Sequence, residues 1–389
     1  MTALCIAILA HSTNPRGGVA HALELGEALT ALGHDAVVHA PDAGGRGFSR
    51  AASCGTCPIP VAPVATGLLA MIHQRIGDYV DHFKTVAHRN FDVFHAQDGI
   101  SANALATLVE RGQIGAFART VHHLDVFDDP EIMRLQARSV AAAAQHFVVS
   151  RLWHEHLTAQ HGIDATVVGN GVRSERFNRR DPARAMALRA RIGLTHGPVV
   201  LSIGGVEERK NTLNILKAFA LLRTALPEAR LVLAGGASLL DHGSYQRRCA
   251  EAKAALALPD DAVILTGPLP DDDMPALYGL ADVLAFPSLK EGFGLVVLEA
   301  MASGLPVVTA HRPPFTEYLA PDDVAWCDPE EPGSIAAAIR MALHPSERAR
   351  LAAQGPHIAA RHTWRAVAQA HLPAYVALMQ PAAQEVSHA

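Results

Sequence analysis

Short runs of apolar residues alternate with longer amphipathic segments along the chain. Residues 5–10 form the first such run and predict a buried strand, and the apolar spacing over residues 19–32 predicts the helix that follows. Similar runs, which predict further strands, occur at residues 91–95, 116–121 and 146–150. Strands that alternate with helices are typical of an α/β domain with a parallel sheet.

The same pattern restarts in the second half of the chain. Strands are predicted at residues 199–203, 231–234, 263–265 and 283–286, and helices at residues 211–222 and 274–280. Three helices are predicted to close the chain, at residues 333–343, 347–360 and 364–379. A chain of 389 residues is too long for one compact α/β domain. The polar, proline-containing segment 178–184 is typical of a linker, so we place a domain boundary between residues 178 and 179.

A glycine pair follows the first predicted strand of each half. Gly17 and Gly18 come after the first strand of the chain, and Gly204 and Gly205 come after the strand that opens the second half. Paired glycines let the backbone approach a ligand closely at the carboxyl end of a strand. The first pair belongs to neither a GxGxxG nor a P-loop pattern, so by itself it indicates phosphate binding only weakly.

The densest group of candidate functional residues lies between Lys290 and Val308. Two glycines and then an apolar helix that begins at Leu295 follow a predicted strand there. The start of a helix offers backbone N–H groups and the positive end of its dipole to an anion. Glu291 on the turn and Glu299 in the helix flank that start, and carboxylates repel phosphate. We therefore expect the two acids to bind hydroxyl groups of the same ligand, as a sugar nucleotide would require.

The sequence from Glu291 to Val308, EGFGLVVLEAMASGLPVV, resembles the signature of the retaining glycosyltransferases of family 4, also called group 1, which have the GT-B fold. The resemblance implies two Rossmann-like α/β domains, residues 1–178 and 179–363, that face each other across a cleft. It also implies that the C-terminal helix, within residues 364–389, crosses back to the first domain. The first domain would serve the acceptor and the second would bind the nucleotide sugar.

The resemblance implies roles for individual residues of the second domain. Glu291 would touch hydroxyl groups of the donor sugar, and Glu299 would hold the ribose of the nucleotide. A pocket for the base would form around Leu269. The backbone between the two acids would bind the diphosphate or the sugar, through Gly292, Phe293, Gly294 and Leu295.

Three residues of the first domain are implicated by the same resemblance. Gly17 and Gly18 are similar to a family segment that approaches the donor diphosphate and the acceptor. His122 follows a predicted strand, at the position from which a family histidine reaches the donor sugar. By position alone, a structural histidine that caps a loop is an equal alternative.

Cations are expected near the diphosphate because negative charge grows on the leaving group during transfer. Lys210 is the best candidate, at the end of a turn that precedes a predicted helix. The family has an arginine directly after the first glycine of this turn, and Gly205 stands there instead. Either Arg209 or Arg16 would then supply the second positive charge.

Two short patterns resemble metal sites. Asp271 to Asp273 contains a DxD, but it directly precedes a predicted helix, where acids are expected because of the helix dipole. Cys54 and Cys57 form a CxxC, half of a zinc site or a redox pair, yet no second CxxC accompanies it. The 22 histidines include no HExxH. We therefore predict a metal-independent protein with no cofactor besides its nucleoside-diphosphate sugar.

The composition of the chain limits which binding partners and which cellular compartment we expect for the protein. A net charge of −5 and a pI near 6.5 argue against nucleic acid and allow at most peripheral contact with a membrane. Five cysteines in a long chain without a disulfide framework fit a reducing cytoplasm. The apolar start of the chain lacks a preceding positive region and is too short to span a bilayer, so we expect no signal peptide.

The sequence thus predicts transfer of a sugar from a nucleoside diphosphate to an acceptor hydroxyl, with retention of the anomeric configuration. Glu291, His122 and Lys210 are the predicted catalytic residues, and a saccharide, a lipid-linked molecule or a small molecule stays open as the acceptor. A sugar-nucleotide epimerase on the same fold is the main alternative, followed by a non-catalytic sugar-nucleotide-binding protein. A nicotinamide dehydrogenase would need a GxGxxG fingerprint, which the sequence lacks.

Overall fold

The computed structural model describes residues 2–64, 67–179, 181–236 and 242–380, and these divide into two compact units. The first unit runs to Asn170 and takes up the chain again at Trp364, and the second unit is Gly171–Thr363. The division falls slightly before the predicted boundary at residue 178. Phe177 explains the difference because it packs against Tyr278 of the second unit, with ring centroids 5.7 Å apart.

The first unit is a parallel sheet whose strands alternate with helices. Its strands are β1 (Cys5–Leu9), β2 (Asp35–Asp42), β3 (Gly55–Pro60), β4 (Val93–Ala96), β5 (Ala118–Val121), β6 (Gln145–Val148) and β7 (Thr166–Val167). The helices between them are α1 (Gly17–Ala31), α2 (Leu68–His82), α3 (Gly99–Glu110), α4 (Pro130–Ala141) and α5 (Arg151–His161). In the described residues the strand order is β3-β2-β1-β4-β5-β6-β7, with all neighbours parallel.

The second unit repeats this arrangement. Its strands are β8 (Val199–Ile203), β9 (Arg230–Ala234), β10 (Val263–Gly267), β11 (Val283–Phe286), β12 (Val307–Ala310) and β13 (Ala325–Cys327). Its helices are α6 (Ser174–Phe177), α7 (Pro182–Arg191), α8 (Thr212–Arg223), α9 (Gly243–Ala255), α10 (Met274–Leu280), α11 (Leu295–Ala302), α12 (Phe315–Tyr318), α13 (Pro332–Leu343) and α14 (Pro345–Ala359). The parallel strands follow the order β10-β9-β8-β11-β12-β13 over the described part of the unit. The prediction of two Rossmann-like α/β domains is confirmed.

Continuous apolar runs account for the burial of the central strands. In β1, Ile6, Ile8 and Leu9 are fully buried, as expected for a parallel strand covered on both faces. Leu9 belongs to one apolar cluster with Tyr79 and Phe83, at the end of α2. The unbroken apolar run of β1 therefore matches its position inside the sheet.

The last helix, α15 (Trp364–Met379), belongs to the first unit and packs against α1. Its Trp364 ring meets the edge of the His21 ring of α1, with centroids 5.2 Å apart. Farther along α15, the Tyr375 hydroxyl lies 2.7 Å from Nδ1 of the buried His95 on β4. The predicted return of the C-terminal helix to the first domain is confirmed, and residues 381–389 of that predicted segment lie outside the described residues.

Two elements differ from the prediction. β3 contains Pro58 and Pro60, and it is tolerated because it is an edge strand, where a missing N–H breaks no ladder. α7 begins inside the predicted linker, one of whose residues, 180, lies outside the described part. Asp181 starts this helix, because its carboxylate accepts a hydrogen bond from the Arg184 N–H at 3.0 Å.

Disulfides and membrane-spanning helices play no part in the fold of the described residues. Cys5, Cys54, Cys57, Cys249 and Cys327 are all free thiols. None of the helices in these ranges is long and apolar enough to cross a membrane.

The strand order reverses beside the first strand of each sheet. Open α/β sheets bind ligands at this point, outside the carboxyl ends of the two strands concerned. In the second unit these strands are β8 and β11, and the turns that follow them carry Lys210 and Glu291. In the first unit they are β1 and β4, followed by the loop to Gly18 and by Gln97.

Candidate active site

A buried ion pair between Lys210 and Glu291 lies at the strand reversal of the second unit. Lys210 ends a short 3-10 turn after β8, and Glu291 follows β11, so two neighbouring strands place the two residues. Nζ of Lys210 lies 2.5 Å from Oε1 of Glu291, and the side chains are 10% and 8% exposed. The same Nζ stands 4.5 Å above the ring of Phe286, the last residue of β11. The structure therefore brings together two of the three predicted catalytic residues.

The charges of this site are balanced in the protein itself. Arg209 lies 3.5 Å from Glu291 and 2.9 Å from the buried carboxylate of Glu207. Burial lowers the pKa of Lys210 below its ordinary value, although Glu291 opposes the shift. Burial would raise the pKa of Glu291, but the charges of Lys210 and Arg209 outweigh it and lower that pKa. Two positively charged and two negatively charged side chains therefore lie close together. A bound diphosphate would add negative charge next to the two cations.

Backbone geometry fixes the position of Lys210. Gly204 has a φ of +129°, and a Cβ there would lie 2.7 Å from Cε of Lys210, so only glycine leaves room for the lysine chain. Asn211 adopts the left-handed conformation, with a φ of 64°, which asparagine tolerates better than most residues. Its side-chain amide donates to the carbonyls of Pro287 at 3.0 Å and Pro329 at 2.5 Å. The turn after β8 is thus tied to the loop after β11.

Gly205, which replaces the family arginine, has a structural explanation. Its φ is +75°, and a Cβ at this position would lie 2.5 Å from the carbonyl oxygen of Gly236. An arginine does not fit this backbone. Arg209 instead contributes the second cation to the cluster around Glu291. Arg16, the other candidate, starts α1 in the first unit.

Restoring the family arginine is expected to harm the protein. Gly205→Arg should lower stability by more than the roughly 1–2 kcal/mol that a left-handed residue costs, because the side chain also meets Gly236. Thermal unfolding of the variant measures the loss. Gly77→Arg is the matched control, since a Cβ at Gly77 of α2 meets nothing within 4 Å. Equal melting temperatures for the two variants would contradict the backbone explanation.

The start of α11 requires a glycine at position 294. Gly294 has a φ of +96°, and a Cβ there would lie 2.7 Å from the ring of Phe315. Phe293 stacks on Tyr318 with ring centroids 4.5 Å apart, and the Tyr318 hydroxyl donates to the Phe293 carbonyl at 3.2 Å. Leu295 then begins the helix as predicted, without a side-chain cap. The predicted anion-binding turn is therefore held in one conformation by aromatic packing.

Glu299 has a partner that the sequence did not reveal. The buried Tyr278 of α10 donates its hydroxyl hydrogen to Oε2 of Glu299 at 2.6 Å. Burial and the neighbouring carboxylate raise the pKa of Tyr278 well above its ordinary value, so the phenol stays protonated as the donor. Tyr278 thus orients Glu299 on α11. The predicted base-pocket residue, Leu269, follows β10 and is half-buried.

The first unit brings His122 and Gly18 together. A Cβ on Gly18 would lie 3.9 Å from Nε2 of His122, whereas a Cβ on Gly17 would meet nothing within 4 Å. Nε2 of His122 lies 3.0 Å from Oε1 of Gln97, and the His21 ring meets the His122 ring edge-on at 4.8 Å. Burial and His21 lower the pKa of His122 well below its ordinary value, so this histidine is neutral. Gln97 was missed by the sequence reasoning, although its place after β4 was a usable signal.

Asp271 and Asp273 of the acidic run form ion pairs with arginines of the second unit. Asp271 pairs with Arg176 at 2.7 Å, and Asp273 pairs with Arg184 at 3.2 Å and also with Arg191. These pairs join α6 and α7 to the start of α10. The run therefore serves the packing of the second unit, in agreement with its prediction as a helix start.

Comparison with protein families gives two matches that together span most of the chain. Residues 15–176 match the model described as Glycosyltransferase Family 4. Residues 187–357 match the model described as Glycosyl transferases group 1. The two matched segments correspond to the two units of the structure.

Individual proteins show the same similarity. A phosphatidyl-myo-inositol mannosyltransferase of Propionibacterium freudenreichii is 26% identical over 369 residues, which cover 91% of this chain and 89% of the relative. A D-inositol 3-phosphate glycosyltransferase of Stackebrandtia nassauensis is 30% identical over 313 residues, or 73% of this chain and 68% of the relative. The structure of Anabaena Alr3699/HepE in complex with UDP-glucose superposes with a TM-score of 0.76 at 17% identity, covering 96% of this chain and 100% of that one.

The relatives are named as glycosyltransferases, which favours sugar transfer over the epimerase alternative. The strand order of both units and the superposition agree with the GT-B fold. The chain therefore belongs to the group 1 glycosyltransferases of family 4.

Proposed function

We propose that this glycosyltransferase moves a sugar from a nucleoside-diphosphate donor to an acceptor hydroxyl, with retention of configuration and without a metal ion. The observation that carries the proposal is the cation cluster of Lys210 and Arg209 at the strand reversal of the second unit. The similar structure of Anabaena Alr3699/HepE, a complex with UDP-glucose, supports a nucleotide sugar as the donor.

Lys210 is suited to hold the leaving diphosphate. An ammonium group has three donors, so Lys210 keeps its contact with Glu291 and still donates to a phosphate oxygen. The site is largely buried, which strengthens its interaction with the charge that develops on the leaving group. The start of α11 adds backbone N–H groups and the positive end of the helix dipole, which also attract a phosphate.

The neighbouring residues would orient the rest of the donor. Glu299, held by Tyr278, would accept hydrogen bonds from the ribose hydroxyls. Leu269 would contact the base. Glu291 would bind the sugar. In the first unit, His122 is neutral and its Nε2 lies 3.0 Å from Oε1 of Gln97, so it would act as a hydrogen-bonding group and not as a cation.

The environment of Glu291 favours a retaining mechanism in which the acceptor attacks the sugar from the same face that the phosphate leaves. Retaining glycosidases commonly use a carboxylate nucleophile. The carboxylate of Glu291 contacts Lys210 and Arg209, and such pairing reduces its nucleophilicity. We therefore assign deprotonation of the acceptor to the departing phosphate, with no covalent intermediate on the protein.

Arg209 and Lys210 would supply the positive charge that a metal ion supplies in metal-dependent glycosyltransferases. The DxD pattern at Asp271 is engaged by arginines of the same unit.

The acceptor is proposed from the relatives' names alone. Both contain an inositol compound, so inositol phosphates and phosphatidylinositol are the first acceptors to test.

Donor binding is tested with a panel of nucleoside diphosphates in the presence and absence of EDTA. The matching nucleotide is expected to stabilise the protein by about 2.7 kcal/mol at 100 times its Kd, equally with and without the chelator. Thermal unfolding measures this, and NMR of the transfer product reports the anomeric configuration. Stabilisation that disappears with EDTA, or an inverted product, would refute the corresponding part of the proposal.

A further inference from the structure

Two histidines and a cysteine converge at the edge of the first sheet. His39 on β2 and Cys57 on β3 are register partners on parallel neighbouring strands, so their side chains leave the same face of the sheet. His82 ends α2, the helix whose Tyr79 packs over that face. One ligand atom from each of the three side chains lies within 4.8 Å of the other two.

The polar atoms of this cluster are unsatisfied. His39 is 3% exposed, and neither of its ring nitrogens makes a hydrogen bond to any described residue. Nε2 of His82 is also buried without a partner in the described part of the chain. A buried polar atom without a partner costs about 1–3 kcal/mol, so three of them in one place require an explanation. A bound ion would give these nitrogens a partner.

We propose that His39, Cys57 and His82 bind a Zn²⁺ ion. Imidazole nitrogen and thiolate sulfur are the ligands that zinc prefers, and no carboxylate belongs to the cluster. With metal–ligand bonds of about 2.0–2.3 Å, two ligands of one tetrahedral ion lie about 3.3–3.8 Å apart. The cluster therefore closes on the ion by movements of about an ångström, which His82, half-buried at a helix end, can make.

The protonation states of the cluster suit this role. Burial and the nearby His82 and His88 lower the pKa of His39 to about 3, and burial and His88 lower that of His82 to about 4. Both rings are therefore neutral and offer lone pairs at physiological pH. Burial raises the pKa of the Cys57 thiol, so binding forms one Zn–S bond and releases one proton to solvent. A water molecule would complete the tetrahedral coordination.

The ion would be structural. It would join β2, β3 and α2 within the first unit, and Lys210 and Glu291 belong to the second, so this proposal is independent of the proposed function. Cys54, the other half of the CxxC, is buried beside Gly26 of α1 and takes no part. The ligands thus come from three separate elements and not from one local motif.

Cobalt substitution tests the site. Protein stripped with a chelator is titrated with Co²⁺, and near-ultraviolet absorption from thiolate-to-cobalt charge transfer is expected to saturate at one ion per chain. Zn²⁺ should displace the cobalt and raise the melting temperature. Cys57→Ser should abolish the absorption, whereas Cys5→Ser, which removes a half-buried thiol outside the cluster, should leave it unchanged.

His82→Asn provides a second variant if Cys57→Ser does not fold. It should weaken Co²⁺ binding at least about tenfold, with circular dichroism confirming the native fold. Absence of saturable binding, absorption that persists in Cys57→Ser, or unchanged affinity in His82→Asn would overturn the proposal.

Discussion

Replacing Lys210 with methionine is expected to lower kcat/KM for sugar transfer by about 10²–10³-fold. Methionine keeps an apolar chain over Phe286 but removes the ammonium group that would stabilise the leaving diphosphate. The variant should also lose about 3–5 kcal/mol of stability, because Glu291 stays buried and Arg209, at 3.5 Å, replaces the lost contact only in part. Transfer kinetics and urea unfolding measure the two effects.

Two controls separate the chemical effect of Lys210 from the structural one. Lys217→Met removes an exposed lysine of α8 and should change neither quantity. Adding Glu291→Gln to Lys210→Met removes the unpaired buried charge, so stability should recover while transfer stays low. A Lys210→Met protein with full transfer activity would refute the assignment of this residue to the diphosphate.

Glu291→Gln is expected to reduce transfer by about 10²-fold or more and to change its pH dependence. In the native protein, burial lowers the pKa of Lys210 and Glu291 partly offsets that shift. Without the carboxylate, the pKa of Lys210 should fall further. Because only the protonated lysine attracts a diphosphate, nucleotide affinity should then be lost at a lower pH than in the native protein. Calorimetric Kd values over a pH series measure this displacement.

Glu208→Gln is the matched control for Glu291→Gln. Glu208 lies on the same turn as Lys210 but is exposed, and its ion pair with Arg248 spans 3.7 Å between exposed side chains. Such a pair contributes little. Its loss should leave both transfer and the pH profile unchanged. Identical pH profiles for Glu291→Gln and the native protein would contradict the electrostatic role of Glu291.

The elements that follow regular physical rules were predictable. α10 (Met274–Leu280) and α15 (Trp364–Met379) have the predicted bounds, because apolar spacing and clear flanking signals mark them. β1 was recognisable as an unbroken apolar run. β3 was not, because Pro58 and Pro60 signal a turn, and only its position at the sheet edge makes them acceptable in a strand.

The chemistry of the site was only half visible in the sequence. Glu291, Glu299 and Lys210 could be named individually, but a sequence does not show that Lys210 and Glu291, 81 positions apart, form one ion pair. Tyr278 gave no signal because its hydroxyl matters only through its contact with Glu299. In the same way, the CxxC directed attention to Cys54, whereas the neighbours of Cys57 are histidines brought in by strand register and a helix end.

The return of α15 to the first unit has a consequence for biosynthesis. Because α15 follows the second unit in the chain, its contacts with the first sheet can form only after that entire unit has been made. Until then Phe147, which packs 4.3 Å from His371 and 5.8 Å from Tyr375 by ring centroids, lacks its cover. The nascent chain therefore exposes to chaperones the apolar surface that α15 later covers. A protein truncated after residue 363 would expose this surface permanently.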